Sequence, residues 1–213
     1  MINRTFEQVA HSKDVSRKAR ELIEQYRRLE AIDLLEEVLE TDPTDAHSHT
    51  MLGTTYWKLA EEIKANAGYD TPQSSDYRDK SIEHLCEGSD LTPYIYRPAF
   101  AAALRLRQTA QYERAYEYLT RSIEGAPYDT FSWSEMALVL SRLNYPLAAV
   151  SCLQNAYLTN PEDAVVLKVM EEINLQSDYR ENLDRTVLLL PIKSAASPKV
   201  KNEDSCVPRL VMA

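Results

Sequence analysis

The sequence predicts an all-α solenoid of about four stacked helix pairs, followed by a C-terminal capping helix or pair. Glycine occurs only 4 times in 213 residues, fewer than a β-rich or loop-rich fold normally uses. Apolar residues make up 44% of the chain, enough to bury a core. Pro93, Pro127 and Pro161 follow one another at intervals of 34 residues. A fixed period of this length indicates repeated units that bury their apolar faces against their neighbours.

Small residues and leucines recur in phase with these prolines. Twelve residues before each proline, counting Pro43 as the first, lies an alanine or serine, and a leucine follows four residues later. The small residues are Ala31, Ser81, Ala115 and Ala149, and the leucines are Leu35, Leu85, Leu119 and Leu153. Small side chains let two helices approach closely, and larger side chains fill the space around the contact. The columns therefore predict the core of each helix pair.

With its upstream positions included, the chain resembles the tetratricopeptide repeat family. That unit reads Trp-x2-Leu-Gly-x2-Tyr, then Ala-x3-Phe, then Pro. The residues that carry the resemblance span about 14–161: Gly53, Tyr56, Ala103, Ala115, Trp133, Ala137, Ala149, Pro93, Pro127 and Pro161. The first unit departs from the pattern, with Lys18 in place of a leucine and Tyr26 in place of a glycine. The resemblance implies a right-handed superhelical solenoid.

We divide the chain accordingly. Residues 1–13 form an N-terminal extension or cap, and residues 14–163 form four repeats (14–45, 46–95, 96–129 and 130–163). Residues 164–190 are the expected C-terminal capping helices, and 191–213 the expected flexible tail. The second repeat is longer than the others by 16 residues, near 60–77. We expect a lengthened first helix there, followed by a loop over 68–76, because this stretch has turn-forming residues.

In the family, the first helix of each pair lines a concave groove that binds partners. Transferred to this chain, the resemblance implies groove residues Trp57, Lys58, Arg97, Phe100, Arg107, Phe131 and Arg142. Cations and aromatic rings on one face of a chain with net charge −9 favour a partner peptide or helix with apolar and acidic residues. The two-carboxylate clamp of chaperone-binding relatives is absent, since its columns hold Ser16, Arg20, Met51, Arg97 and Ala101.

Composition and motifs disfavour other classes of function. The net negative charge opposes binding to nucleic acid or to a membrane surface, and we expect no membrane insertion. The first thirteen residues lack a signal-peptide apolar stretch, and the three cysteines have no zinc or redox spacing, so we expect a cytoplasmic protein. Scattered histidines and the lack of a glycine-rich loop predict no catalytic site, metal site or cofactor.

The preferred hypothesis is therefore a non-catalytic adaptor or scaffold that binds another protein. One alternative is a chaperone for a specific exported or assembling client, because short acidic proteins of this family serve type III secretion systems in that way. The other is a self-assembling scaffold, a homo-oligomer in which one array stacks on another or the tail enters a neighbour's groove.

Overall fold

The computed structural model describes residues 6–175, with side chains described over 12–173. Within this range the regular structure consists of nine α-helices, which confirms the predicted all-α class. They are α1 (Phe6–Glu24), α2 (Arg28–Thr41), α3 (Ala46–Ala67), α4 (Pro72–Leu91), α5 (Tyr96–Gln108), α6 (Tyr112–Gly125), α7 (Thr130–Arg142), α8 (Pro146–Thr159) and α9 (Ala164–Leu175). The rest of the predicted C-terminal cap and the predicted tail lie outside the described residues.

The helices form two compact units, which divide within α5 between Arg105 and Leu106. In the first unit α1 packs on α2, α2 on α3, and α3 on α4. In the second unit α6 packs on α7, and α7 on α8, while α9 contacts both α7 and α8. Most of these contacts join helices that follow one another in sequence, as expected of stacked repeats.

The turns that follow α1, α5 and α7 share one conformation. Tyr26, Ala110 and Asn144 have φ angles of 63°, 59° and 64°, in the left-handed region. After α7, the amide of Tyr145 donates to the carbonyl of Leu140 at 2.8 Å, the Schellman pattern that closes a helix. None of the three residues is a glycine, so each turn retains the strain of a side chain in this region.

The loops before α3, α7 and α9 each end in an aspartate that caps the helix that follows. Asp45 accepts a hydrogen bond from the amide of His47, and Asp129 accepts one from Ser132. Asp163 does the same for Val165, at 2.8 Å. A carboxylate at this position satisfies an amide that has no partner within the helix. Before α5 the equivalent residue is Ile95.

The small residues that recur in the sequence lie in the core. Ala31, Ser81, Ala115, Ala149, Ala103 and Ala137 are all fully buried, as are the leucines of the adjoining column. The side chains of Tyr56 and Trp133 are also buried. The Trp133 indole N–H donates to the carbonyl of Pro127 at 2.7 Å, which ties α7 to the preceding loop. Pro93, Pro127 and Pro161 are exposed in the loops between pairs.

Gly53 shows how closely α3 and α4 approach. A Cβ atom at Gly53 would lie 2.6 Å from Cγ of Leu85 and 2.8 Å from the backbone oxygen of Ser81. The Ser81 hydroxyl donates to the carbonyl of Gly53 at 2.6 Å. Only glycine fits this contact without displacing the α4 backbone.

The prediction of a loop over 68–76 is wrong for residues 72–76, which belong to α4. The break covers only 68–71, between α3 and α4, and Gly68 ends α3 with a φ of 79°. Pro72 begins α4, where proline is favoured because the first helical amide needs no partner. Thr71 and Ser74 form a reciprocal capping box that fixes this start. The extra residues of the second repeat therefore lengthen both of its helices.

Candidate interaction surface

A cleft of about 420 Å³ lies between α1 and the start of α3 in the first unit. From α1 its lining includes the side chains of Ser12, Lys13, Ser16, Arg17 and Arg20. Asp45, the capping residue of α3, and His47 complete the described lining. Three cations and one carboxylate therefore border a cleft in a chain that carries a net charge of −9.

The cations of this cleft differ in how they are paired. Arg17 forms an ion pair with Asp14 one turn earlier on α1. In the part of the chain that the structure describes, neither Lys13 nor Arg20 has a hydrogen-bond or ion-pair partner. Both are exposed, so their charges are available to a ligand.

Ser16 is the most unusual residue of the cleft. Its side chain is only 5% exposed, and its hydroxyl has no hydrogen-bond partner. Native proteins rarely leave a buried hydroxyl unpaired, because the lost hydrogen bonds to water are then not replaced. The Ser16 hydroxyl is thus a buried polar atom without a partner among the described residues.

Asp45 is the one carboxylate in the described lining, and its oxygens are already engaged. Oδ2 accepts hydrogen bonds from the hydroxyls of Ser12 and Ser48, and Oδ1 accepts from the amide of His47. Asp45 therefore holds α1 against the start of α3.

The sequence prediction placed no groove residue on α1. The repeat itself carried the signal, since Lys13, Ser16 and Arg20 lie one period of 34 residues before His47, Thr50 and Thr54 of α3. In the sequence analysis, Ser16 and Arg20 entered only as positions of the two-carboxylate clamp, and the first repeat departs from the family pattern at Lys18 and Tyr26.

Trp57 lies at a contact between α3 and α5. Its side chain is only 7% exposed. The guanidinium of Arg105 lies 4.7 Å from the ring centroid, and that of Arg78 lies 5.6 Å from it. Arg78 also pairs with Glu61 and Asp70. Burial lowers the pKa of Arg105, and the charge of Glu61 opposes that change. The ring is thus largely covered by arginine side chains of its own unit.

The other predicted groove residues of the first unit are more open. Lys58 on α3 and Arg97 on α5 are exposed, and Phe100 is half-buried. The Arg97 Nε donates to the hydroxyl of Tyr96 at 3.3 Å, and this hydrogen bond raises the pKa of Arg97. Lys58 and Arg97 can therefore contact a partner with little rearrangement of their surroundings.

In the second unit, the predicted cations are paired within the protein. Arg107 forms a two-pronged ion pair with Glu135, which links the end of α5 to α7. Both side chains are mostly buried. Arg142 lies 3.9 Å from Glu172 of α9, and both of these side chains are about half exposed. A ligand would have to compete with a carboxylate for either arginine.

Exposed apolar side chains lie at the equivalent first-helix positions of the second unit. Phe131, at the start of α7, is 48% exposed, and Val165, the equivalent residue of α9, is 37% exposed. The two belong to the column that holds Lys13, His47 and Arg97 in the first unit. Each unit therefore has a first-helix face, meaning the side of its first helices formed by these columns (α1, α3 and the start of α5 in the first unit, α7 and α9 in the second), and this face is cationic in the first unit and apolar in the second.

A polar cluster at α2, α3 and α4 was not predicted from the sequence. The His49 Nε2 donates to the carbonyl of Pro43, so its Nδ1 accepts from the Nδ1–H of His84 at 3.0 Å. Burial and the neighbouring His49 lower the pKa of His84. Tyr56 stacks on His84 and donates to Glu36, and its pKa is raised by burial first and by that hydrogen bond second. These groups hold three helices together.

Metal ligands do not cluster in the described residues, where no three His, Cys, Asp or Glu side chains converge. Burial raises the pKa of Cys152, which lies inside the second unit. Among the helices described, none is long and apolar enough to cross a lipid bilayer.

Comparison with known proteins gives matches in structure and none in sequence. No family model and no curated protein matches the chain. A crystal structure of MamA matches with a TM-score of 0.64 at 14% identity, over 80% of this chain and 90% of MamA. PilF of Pseudomonas aeruginosa gives 0.62 at 15%, over 85% and 75% of the two chains. MamA of Desulfovibrio magneticus RS-1 gives 0.62 at 15%, over 84% and 89%. These are tetratricopeptide repeat proteins, and at such identities the likeness concerns the fold. This chain has the tetratricopeptide repeat fold.

Proposed function

We propose that this protein is a non-catalytic adaptor that binds another protein, as a peptide or helix, through the first-helix faces of its units. The observation that carries the proposal is the set of exposed cationic and aromatic side chains on the first helices of the repeats. Lys58 and Arg97 represent it in the first unit, and Phe131 in the second. Arginine and aromatic residues provide much of the binding energy of protein interfaces.

The chemistry of this face indicates the kind of partner. Cations at the surface of an acidic chain favour a partner segment with carboxylates, since opposite potentials steer the encounter. Phe131 and Val165 favour apolar side chains at another part of the segment. A peptide or an amphipathic helix supplies both.

Site-specific photo-crosslinking tests the proposal. A benzophenone amino acid is introduced at Lys58 or at Phe131, and at Asp79 or Glu117 as exposed controls on the second helices α4 and α6. We expect a specific adduct from Lys58 and Phe131 in extracts of the source cell, identified by mass spectrometry, and none from the controls. Equal adducts at all four positions, or adducts only at the controls, would contradict the proposal.

A double variant then tests the energetic contribution of the face. Arg97→Glu combined with Phe100→Ala should weaken binding of the identified partner by at least tenfold, because it reverses one charge and removes one apolar contact. Co-expression separates an adaptor from a client-specific chaperone. A chaperone raises the soluble yield of its client, whereas an adaptor leaves the yield unchanged.

A further inference from the structure

We propose that the contact between His49 of α3 and His84 of α4 is a pH-sensitive clasp, which holds the two helices together at neutral pH and opens in mild acid. The Nδ1 atoms of the two imidazole rings lie 3.0 Å apart and share one N–H in a hydrogen bond. The charge of an ordinary histidine changes between pH 5 and 8, so the proton balance of this bond changes in the same range.

The surroundings fix how the two rings face each other. His49 donates from its Nε2 to the carbonyl of Pro43 at 3.0 Å, so the far side of its ring is already engaged. The ring of Tyr56 stacks on His84, with 5.8 Å between the centroids and 12° between the planes. Both histidines are half-buried. Because neither ring can turn away without losing a contact of its own, the two Nδ1 atoms stay opposite each other.

This geometry limits the number of protons that the pair can hold. With both rings neutral, His84 donates through its Nδ1–H to the lone pair on Nδ1 of His49. One further proton leaves a hydrogen bond in place, since one Nδ1 still presents a lone pair to the other. A second further proton puts a hydrogen on both Nδ1 atoms and a positive charge on both rings, so repulsion replaces the bond. The closed clasp therefore takes up one proton where two separate histidines take up two.

The neighbouring groups keep this balance. They are Glu36 of α2, Tyr56 of α3, and Lys80 and Glu83 of α4. Burial lowers the pKa of His84 most and the charge of His49 lowers it further, while the two carboxylates oppose the change and Lys80 adds to it. A histidine whose pKa is lower in the folded protein than in the unfolded chain stabilises the fold above the unfolded value of about 6.5. That stabilisation is lost as the pH falls below this value.

Urea unfolding of the full-length Trp133→Phe protein tests the clasp, because the fluorescence of Trp57 on α3 then reports on the first unit. If the folded unit holds one proton fewer than the unfolded chain in acid, the ratio of unfolded to folded first unit should rise about 25-fold between pH 7 and pH 5. A rise of less than about threefold would overturn the proposal.

A pair of variants assigns this effect to the clasp. In the same background, His84→Asn keeps an amide group near the position of Nδ1 but cannot be protonated, so we expect the ratio to change by less than about threefold. His47→Asn is the matched control, since it removes an exposed histidine from α3 outside the pair and should keep the full change. The proposal is wrong if His84→Asn keeps the full change or if His47→Asn loses as much of it.

A titration of the unaltered protein avoids any dependence on how the variants fold. Long-range proton–nitrogen NMR shows the charge and the tautomer of each imidazole ring. Between pH 7 and pH 5 we expect only one ring of the pair to become charged in the folded protein, whereas the exposed His47 becomes charged near pH 6.5. If His49 and His84 are both charged at pH 5 while the protein is still folded, the clasp is refuted.

Discussion

Single residues in this protein are constrained by how closely the helices approach. Gly53 is the clearest case, because the backbone of α4 occupies the space that a side chain would need. Gly88 is close to α3 as well, but the nearest atom to its added Cβ is the side-chain oxygen of Thr50, at 2.7 Å, and the backbone atoms lie farther away, at 3.1 and 3.2 Å, than the 2.8 Å found at Gly53. A side chain can rotate away, whereas a helix backbone moves only with the whole helix. The two glycines should therefore differ in their tolerance of alanine.

We expect Gly53→Ala to lower the free energy of unfolding by about 1–2 kcal/mol. Alanine favours the helix by roughly 1 kcal/mol, but overpacking of a tight contact typically costs about 1–3 kcal/mol, and here the contact includes a backbone oxygen. Urea unfolding followed by circular dichroism measures the change. Gly88→Ala is the comparison and should lose less stability. A Gly53→Ala protein as stable as the wild type would show that α3 and α4 can separate at no cost.

At the scale of the element, the loops between repeats use one capping device with one exception. Asp45, Asp129 and Asp163 cap α3, α7 and α9, and Ile95 stands at the equivalent position before α5. Ile95 is 52% exposed, so only about half of its surface is buried and replacing it removes few apolar contacts. The loop keeps its shape without the cap, since the amide of Ile95 still donates to the carbonyl of Thr92 at 2.9 Å.

Ile95→Asp should therefore add a cap where the backbone already has the required turn. Compared with Ile95→Ala, which removes the same side chain without adding an acceptor, we expect the aspartate variant to be more stable by about 1 kcal/mol. The difference between their urea midpoints at neutral pH gives the value. Protonation of the aspartate should remove most of the gain, so the two variants should converge near pH 3. Equal midpoints at neutral pH would mean that the first turn of α5 does not accept the cap.

At the scale of the whole molecule, the described chain consists of two compact units divided at Arg105. The first contains the longest pair of helices, α3 and α4, and the second contains the shorter helices α6 to α9. Stability in repeat proteins is built from local units and their neighbours, so the two units need not unfold together. The chain has two tryptophans, and each unit contains one of them, Trp57 in the first and Trp133 in the second.

Tryptophan fluorescence can therefore follow each unit separately. In Trp133→Phe the signal reports on the first unit, and in Trp57→Phe on the second. We expect a higher urea midpoint for the first unit, because its long helix pair buries more apolar surface. Circular dichroism of both variants should show the sum of two transitions. A single midpoint shared by both tryptophans and by circular dichroism would indicate one cooperative unit.

Much of the fold could be predicted because the period of 34 residues fixes which side chains must be small. Ala103, Ala137 and Ala149 recur in phase, and all three are fully buried. The helix starts at Ala46, Tyr96, Thr130 and Ala164 also agree with the sequence, since each follows a recurring loop. The loop over 68–76 was predicted wrongly in part, because Pro72 can begin a helix as well as end one.

The sequence by itself determined that this chain forms paired helices with cationic and aromatic residues on the first helices. The reason is that the 34-residue period sets which face of each helix carries the small and apolar side chains that must pack. Only the tertiary structure decided which of those residues are available. It covered Trp57 with Arg78 and Arg105, paired Arg107 with Glu135, and left Lys13, Arg20 and the Ser16 hydroxyl unpaired at one cleft. These pairings join residues that are 21 to 48 positions apart, and no repeat pattern specifies which charges meet across two helices.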